Sequence, residues 1–298
     1  MPFGTVTLND GNEMPTIAFG TGSKWKGQDV TDYVSEAIEA GFSHIDTAQF
    51  YANEDSVGTA IRQSGLNRSD LFITTKWSGL ASVRESIEAS LSKLNLKQVD
   101  LYLIHNPAVV KDLEADWRSF EIAQADGLVK SIGVSNFSVE LMQKLVKIAK
   151  VKPTVNQIML HPYNYAQNKE LLEYCAKHKV IVEAYSSLSP ITSLPGGPVD
   201  KPVNAAAKRL GATPAQVIQA WVRAKGVVIV TTSSSQDRMK EYLAVADLLL
   251  ASLTDEEIAA IDAAGAQGPP SMVRRDVRLA VLFCWSLVML WQLVHMLR

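Results

Sequence analysis

What this chain has little of narrows its class first. Cys175 and Cys284 are its only two cysteines in 298 residues, too few for a disulfide framework. There is no basic excess. The 29 Lys and Arg stand against 31 Asp and Glu, a net charge of −2, which argues against nucleic acid as a partner. The body has no internal repeat, no low-complexity tract and no linker-like stretch, so it is neither disordered nor fibrous. It contains no HExxH helix, no paired CxxC and no Walker-type loop, which leaves metal catalysis and a bound metal without support. Residues 1–10 lack the positive n-region and apolar h-region of a secretory signal, so a cytoplasmic catalytic domain is expected. The sequons Asn67-Arg-Ser69 and Asn136-Phe-Ser138 are then chance matches. The last residues form neither a prenylation box nor a peroxisomal tripeptide.

What is present falls into two parts. Residues 279–297 are apolar except for Ser286, Gln292 and His295, with Arg274, Arg275 and Arg278 ahead of them. Nineteen helical residues span about 28 Å, close to the ~30 Å hydrocarbon core of a bilayer. The three polar residues build no single polar face, which suits burial or a membrane over an interfacial helix. The arginines fit a cytosolic flank. Residues 271–298 are therefore expected to be a basic flank plus a candidate transmembrane tail, which would anchor the domain to an intracellular membrane. A lid or docking helix over a pocket, or a wrongly joined exon, are the other readings. Without the tail the apolar fraction is about 45%, an ordinary globular value.

Within residues 1–270, eight short apolar runs recur at 17–20, 42–46, 71–75, 99–104, 131–134, 154–159, 180–184 and 227–232. Each is apolar on nearly every residue, as strands buried on both faces are. Ahead of them, residues 5–8 and 14–17 flank Asp10-Gly11, a hairpin signal. Helical stripes lie at 30–39, 82–94, 138–150, 213–225 and from 254 to about 264. Ser82-Val-Arg-Glu85 reads as a capping box and Thr213-Pro214 as a helix start. Eight strand–helix units at mostly ~25–30-residue spacing predict an α/β fold, a (β/α)8 TIM barrel with an N-terminal β-hairpin and a C-terminal hydrophobic helix. The alternative is a doubly wound sheet. Gly20-Thr-Gly22-Ser-Lys-Trp25 lacks the third glycine of a dinucleotide fingerprint, which disfavours it.

In such a barrel, chemistry gathers at the C-terminal ends of the strands. Those ends carry Asp46 and then Tyr51, Lys76, His105, Ser135-Asn136, Asn156-Gln157, Tyr185-Ser186 and Thr232-Ser233. A tyrosine is a weak acid at neutral pH unless its phenolate is stabilised. An adjacent ammonium would lower its pKa, and a carboxylate would hold the ammonium. A histidine can orient a substrate oxygen. This set suits proton delivery to a carbonyl under reduction, with a cofactor as the electron source. Taken singly, Asp46 could be a buried structural carboxylate and Lys76 a Schiff-base lysine. His44, His161 and His178 are read as packing residues, with His178 inside a helix. Trp25 and Trp77 are candidate walls of a substrate pocket, Trp117 and Trp221 helix-face core, and Cys175 an inert buried thiol.

Several of these stretches resemble motifs of the aldo-keto reductase superfamily. They are Gly41-Phe-Ser-His-Ile-Asp-Thr-Ala-Gln-Phe-Tyr-Ala-Asn-Glu54, Thr75-Lys76-Trp77, Leu103-Ile-His-Asn-Pro107, Gly133-Val-Ser-Asn-Phe137, Val155-Asn-Gln157 and Ala184-Tyr-Ser186. The match is collinear from about Thr5 to Ala264. Thr231-Thr-Ser-Ser-Ser235 and Gly20–Trp25 look most like fungal NADPH-dependent carbonyl and aldehyde reductases acting on α-dicarbonyl compounds. The resemblance implies a barrel that binds NADPH, or NAD, across its mouth. Tyr51 would be the general acid, tuned by Lys76 and Asp46, with His105 steering the carbonyl. Ser135, Asn136 and Gln157 match positions that bond the nicotinamide carboxamide, and Tyr185 the aromatic that stacks on the ring. Ser233 and Arg238 match positions that meet the adenosine 2′-phosphate. Gly22, Ser23, Lys24, Ser186, Leu188 and Thr232 complete the expected cofactor set. Three residues depart from the family pattern. Thr232 stands where many members have Lys and Tyr242 where many have Asn, both bearing on NADPH against NADH. Asn106 stands where a Trp commonly lines the pocket, which predicts a more open or more polar pocket.

The expected activity is reduction of an aldehyde or ketone by a monomeric enzyme taking a small-molecule carbonyl substrate. A cofactor-bound regulatory subunit of a membrane partner is the second reading, and a lysine Schiff-base lyase the third. Residues 188–202, rich in Pro and Gly, are expected to form a mobile flap over the cofactor.

Overall fold

The structure is a computed structural model that describes residues 4–22, 25–248 and 253–270. Strands β1 (Thr5–Thr7) and β2 (Glu13–Pro15) pair antiparallel across the Asp10-Gly11 turn, with Gly11 at φ 89°. The turn needs that left-handed backbone, which glycine adopts without a Cβ clash.

Eight parallel strands then close into a barrel. They are β3 (Ile17–Gly20), β4 (His44–Asp46), β5 (Phe72–Trp77), β6 (Val99–Ile104), β7 (Val129–Ser135), β8 (Val155–Met159), β9 (Ile181–Tyr185) and β10 (Val228–Thr231). Each pairs with the next in sequence. β10 returns to β3, with Ile229 opposite Ile17, and closes the ring. All eight apolar runs became strands, so the barrel prevails over the open sheet. Strand side chains alternate between the barrel interior and the helix layer. The apolar ones facing outward join one core with the helices, including Phe19, Ile45, Ile73, Tyr102 and Ile104. A smaller apolar cluster of Leu101, Leu103, Val155, Phe72 and Val228 fills the barrel floor. Leu8 and Met14 of the hairpin complete it from below.

The helices α1 (Thr31–Ala40), α2 (Glu54–Gln63), α3 (Val83–Leu94), α4 (Leu113–Ala125), α5 (Val139–Ile148), α6 (Pro162–Lys177), α7 (Ser189–Thr192), α8 (Asp200–Leu210), α9 (Pro214–Ala224), α10 (Gln236–Leu243), α11 (Val245–Leu248) and α12 (Asp255–Gly265) follow in chain order. The capping signals act as expected. Ser82, Thr213 and Thr254 each accept the backbone N–H three residues on, and Glu85, Gln216 and Glu257 return the bond. Trp117 and Trp221 are buried core residues. Their indole N–H groups reach Val151 O at 3.0 Å and Asp262 Oδ1 at 2.8 Å, the latter tying α9 to α12. Cys175 is buried, with its thiol pushed up to about 12 by desolvation, as an inert thiol should be.

Two sequence expectations change. His178 caps α6 and lies just past its end. Residues 188–202 are not one loop: α7 and the first turn of α8 occupy much of the stretch, with Pro190 near the start of α7. Trp25 and Trp77 are buried. Trp25 stacks on Tyr33 with centroids 4.6 Å apart, and Trp77 meets Phe120 edge-on while its N–H bonds Ala81 O. Among the described residues no helix is long and apolar enough to cross a membrane. Residues 271–298, with the candidate tail at 279–297 and Cys284, lie outside the described residues, as do Ser23 and Lys24.

Candidate active site

Asp46 ends β4, Lys76 is one residue from the end of β5, and His105 follows β6. Tyr51 closes a single 3-10 turn, Gln49–Tyr51, held by Gly27 N–H donating to Tyr51 O at 2.8 Å. The loop before it is pinned by Asn53. Its Nδ2 donates to Thr21 O at 2.9 Å, and its Oδ1 accepts from the hydroxyls of Thr21 and Thr47, each at 3.3 Å. Gly22 passes directly over the tyrosine ring. A Cβ there would lie 2.6 Å from Tyr51 Cζ, so only glycine lets the ring sit where it does. This is a use for Gly22 that its expected cofactor role did not include.

Lys76 is wholly buried and all three of its N–H groups are engaged. They reach Asp46 Oδ1 at 2.5 Å, Thr47 O at 3.0 Å and Tyr51 Oη at 3.4 Å. Burial pulls the ammonium down, yet Asp46 and the other negative neighbours outweigh it, and its pKa is raised. A charged amine with no spare hydrogen and no free lone pair is a poor Schiff-base nucleophile. Asp46, which read singly could be a buried capping or salt-bridge carboxylate, is ion-paired with this ammonium.

The expected lowering of the Tyr51 pKa is not the net result. Burial raises it, Lys76 lowers it, Asp46 raises it, and the balance is upward. In this state Tyr51 keeps its proton. Because Lys76 donates to Tyr51 Oη, the phenol's own hydrogen is left for another acceptor. His105 stands edge-on to Tyr51 with centroids 5.4 Å apart. Burial and then Lys76 hold its pKa down at about 4, so the ring is neutral at pH 7. Half-exposed Phe50 also meets His105, and the Lys26 ammonium rests 3.3 Å from the Phe50 ring centroid. Asn106 is exposed at this rim, with Oδ1 accepting Ala108 N–H at 2.9 Å.

The amide-bearing residues join the same network. Asn136 takes the left-handed backbone at φ 63°, a region asparagine tolerates. Its Nδ2 donates to His105 O at 3.1 Å and to Ser135 Oγ at 3.0 Å, while its Oδ1 accepts from Tyr185 Oη at 2.8 Å. Ser135 Oγ donates to Gln157 O at 2.8 Å. Gln157 Nε2 reaches across the barrel to Asp46 Oδ2 at 2.8 Å and sideways to Glu183 Oε2 at 2.9 Å. Thus Asp46, Tyr51, Lys76, His105, Ser135, Asn136, Gln157 and Tyr185 form one bonded set.

A second group gathers after β10. Ser233 is buried, and its hydroxyl closes a turn with Ser235, donating to Ser235 O at 3.2 Å and accepting Ser235 N–H at 3.0 Å. Arg238 is exposed in the first turn of α10, with no ion pair among the described residues. Thr232 is exposed beside them, while Tyr242 is buried. Ser186, at φ 58°, is exposed, and Leu188 precedes α7 half-buried. Among the described residues no bond links this group directly to the tetrad of Asp46, Tyr51, Lys76 and His105. The donor chemistry still fits an extended dinucleotide: an amide cluster beside an aromatic ring at one end and, at the other, a guanidinium with no ion pair among the described residues.

Glu183, Asn53 and Thr47 were not singled out from the sequence. Glu183 was visible as the one charge inside an otherwise apolar run. Its meaning depends on register, which sets it directly opposite Gln157.

The aldo/keto reductase family model matches residues 2–266. The chain belongs to the aldo/keto reductase family. It is 37% identical over 245 residues to the NAD/NADP-dependent indole-3-acetaldehyde reductase of Schizosaccharomyces pombe, covering 78% of this chain and 86% of that one. It is 35% identical over 288 residues to the NADPH-dependent alpha-keto amide reductase of Saccharomyces cerevisiae, covering 89% and 91%. The crystal structure of a Bombyx mori aldo-keto reductase in complex with NADP superposes with a TM-score of 0.78 at 31% identity, covering 87% of this chain and 91% of that one. This aldo/keto reductase is an NAD(P)-dependent oxidoreductase.

Proposed function

We propose that this aldo/keto reductase reduces an aldehyde or a ketone flanked by a second carbonyl, with NADPH as the preferred reductant. The observation that carries the reading is the Asp46–Lys76–Tyr51 chain beside a neutral His105. When bound, the nicotinamide supplies the hydride to the carbonyl carbon. Tyr51 supplies the proton to the carbonyl oxygen. The phenolate left behind faces the Lys76 ammonium, which Asp46 keeps charged and in place. His105 is neutral, so it can offer a ring N–H to the same oxygen without competing as an acid. Ser135, Asn136, Gln157 and Tyr185 would hold the nicotinamide end, and Arg238 the 2′-phosphate. Gly22 makes room for the Tyr51 ring, and Ser23, Lys24, Ser186, Leu188, Thr232 and Ser233 would lie along the same cofactor.

An α-dicarbonyl substrate is supported by the open, polar rim around Asn106 and Lys26 and by the alpha-keto amide reductase relative. A panel of simple aldehydes, methylglyoxal and an α-keto amide, each run with NADPH and NADH, tests it. Tyr51→Phe should lower kcat by on the order of 10²–10⁴-fold with every substrate. Normal turnover by that variant would refute the assignment. A tight NADPH complex with no turnover on the panel would favour the regulatory reading.

The catalytic unit is residues 1–270, and residues 271–298 bear on location. Protein cut after residue 270 should retain turnover. Extraction of the full chain by alkaline carbonate would reject the tail as an anchor.

A further inference from the structure

Gln157 is a side-chain amide whose two N–H groups are both spent on carboxyl groups, Asp46 Oδ2 at 2.8 Å and Glu183 Oε2 at 2.9 Å. Its carbonyl oxygen takes no hydrogen bond from a described residue. Turning the amide over would point that oxygen at two acceptors, so the orientation is fixed by repulsion as well as by attraction. Asp46 is held in place by Lys76. Glu183 is the second holder, and its position follows from the sheet. Residues 157 and 183 are directly paired in the parallel β8–β9 ladder, so their side chains leave on the same side.

Glu183 is a costly residue for this place. It is fully buried in a strand whose neighbours Val182 and Ala184 are apolar. Its other oxygen, Oε1, has no hydrogen-bond partner and lies 4.0 Å from His44 Nε2, which is already engaged with Thr74 Oγ1 at 2.8 Å. A buried carboxyl with half its capacity unmet weakens the fold, so packing does not explain it. Among the described residues its one hydrogen-bonded partner is Gln157.

We propose that Glu183 is a positioning residue: together with Asp46 it locks the Gln157 amide so that only the oxygen is presented, as an acceptor for a ligand N–H. Resting on the cofactor reading above, that N–H is the carboxamide NH2 of nicotinamide. Burial, and then Asp46, push Glu183 up to about 7. Ionised or protonated, it keeps an oxygen that can accept from Gln157, so the lock holds in both states.

The test compares two ligands on three proteins. NADPH carries the carboxamide, and 2′-phospho-ADP-ribose is the same molecule without the nicotinamide ring. Dissociation constants are read from quenching of tryptophan fluorescence for wild type, Glu183→Met and Glu183→Gln. Glu183→Met, close in volume, should weaken NADPH about three- to tenfold, the worth of one misdirected hydrogen bond, and leave 2′-phospho-ADP-ribose unchanged. Glu183→Gln, whose oxygen still accepts from Gln157, should return NADPH affinity to within about twofold of wild type. If Glu183→Met does not fold, Glu183→Ala, which admits water, is read the same way. The proposal is overturned if the apolar variant binds NADPH as wild type does, if both ligands weaken equally, or if Glu183→Gln is as weak as Glu183→Met. A wild-type protein that bound neither ligand would instead overturn the cofactor reading beneath it.

Discussion

At the scale of single residues, the site depends on where one phenol ring can lie. Gly22 is in contact with that ring, and any Cβ would displace it. Gly22→Ala should therefore reduce kcat by on the order of 10²-fold, the usual cost of a ~1 Å misplacement. Its thermal midpoint should stay close to wild type, because the crowding is met at the mouth and not in the core. Steady-state kinetics beside a melting curve checks this, and unchanged kcat would show that the ring has room to move. His105 makes a second expectation. With its pKa held at about 4, the imidazole is neutral across the physiological range. The pH profile of kcat/KM should show no imidazole inflection between about 5 and 8. His105→Gln, a neutral donor, should retain more activity than His105→Ala. An inflection near 6.5 that disappears in His105→Gln would contradict a neutral role.

At the scale of elements, α10 and β9 carry separate consequences. Arg238 projects from the first turn of α10 with no ion pair among the described residues. Arg238→Ala should raise the KM for NADPH about tenfold or more and leave that for NADH nearly unchanged, since only NADPH carries the phosphate. β9 holds Glu183, whose folded pKa of about 7 exceeds the 4.5 of an unperturbed glutamate. Between those values the unfolded chain releases the proton while the folded chain keeps it. Stability from this group is thus whole below about pH 4.5 and is lost as pH rises through 7. The span corresponds to about 3 kcal/mol at most. Urea midpoints at pH 5 and pH 8 should fall by less in Glu183→Gln than in wild type. His44, held down at about 4, acts in the opposite direction as pH falls below 6.5, and it is common to both proteins.

The elements also show what a sequence can convey. The eight strands were legible because parallel barrel strands are buried on both faces and read as solid apolar runs. Asp46, Lys76 and His105 were legible because each is a polar group standing at the end of such a run. α10, Gln236–Leu243, gave no clear stripe, since only Met239, Tyr242 and Leu243 are buried along it. The short α7 was read as loop because its Pro190 and the nearby glycines suggested one. The net direction of the Tyr51 shift could not be read at all. It depends on how deeply the ring is enclosed, and three segments distant in sequence settle that.

At the scale of the whole molecule, the hairpin β1–β2 is a separate part with a mechanical task. Leu8 and Met14 fill the barrel floor beneath Leu101, Leu103 and Val155. Met14→Ala should lower the unfolding free energy by about 2–5 kcal/mol, as cavity-forming core changes do. kcat and KM of the folded protein should hold, because the tetrad lies at the other end. Denaturation curves and kinetics on one preparation check both halves, and a lost kcat at full stability would be the contrary result.

A plugged floor has a further effect on the charged groups above it. Lys76, Asp46 and Glu183 are buried, and water approaching them from below would have to pass the packed side chains of Leu8, Met14, Leu101, Leu103 and Val155. The hairpin therefore keeps the Lys76–Asp46 pair dry as well as the barrel whole, and charges attract most strongly where water is excluded.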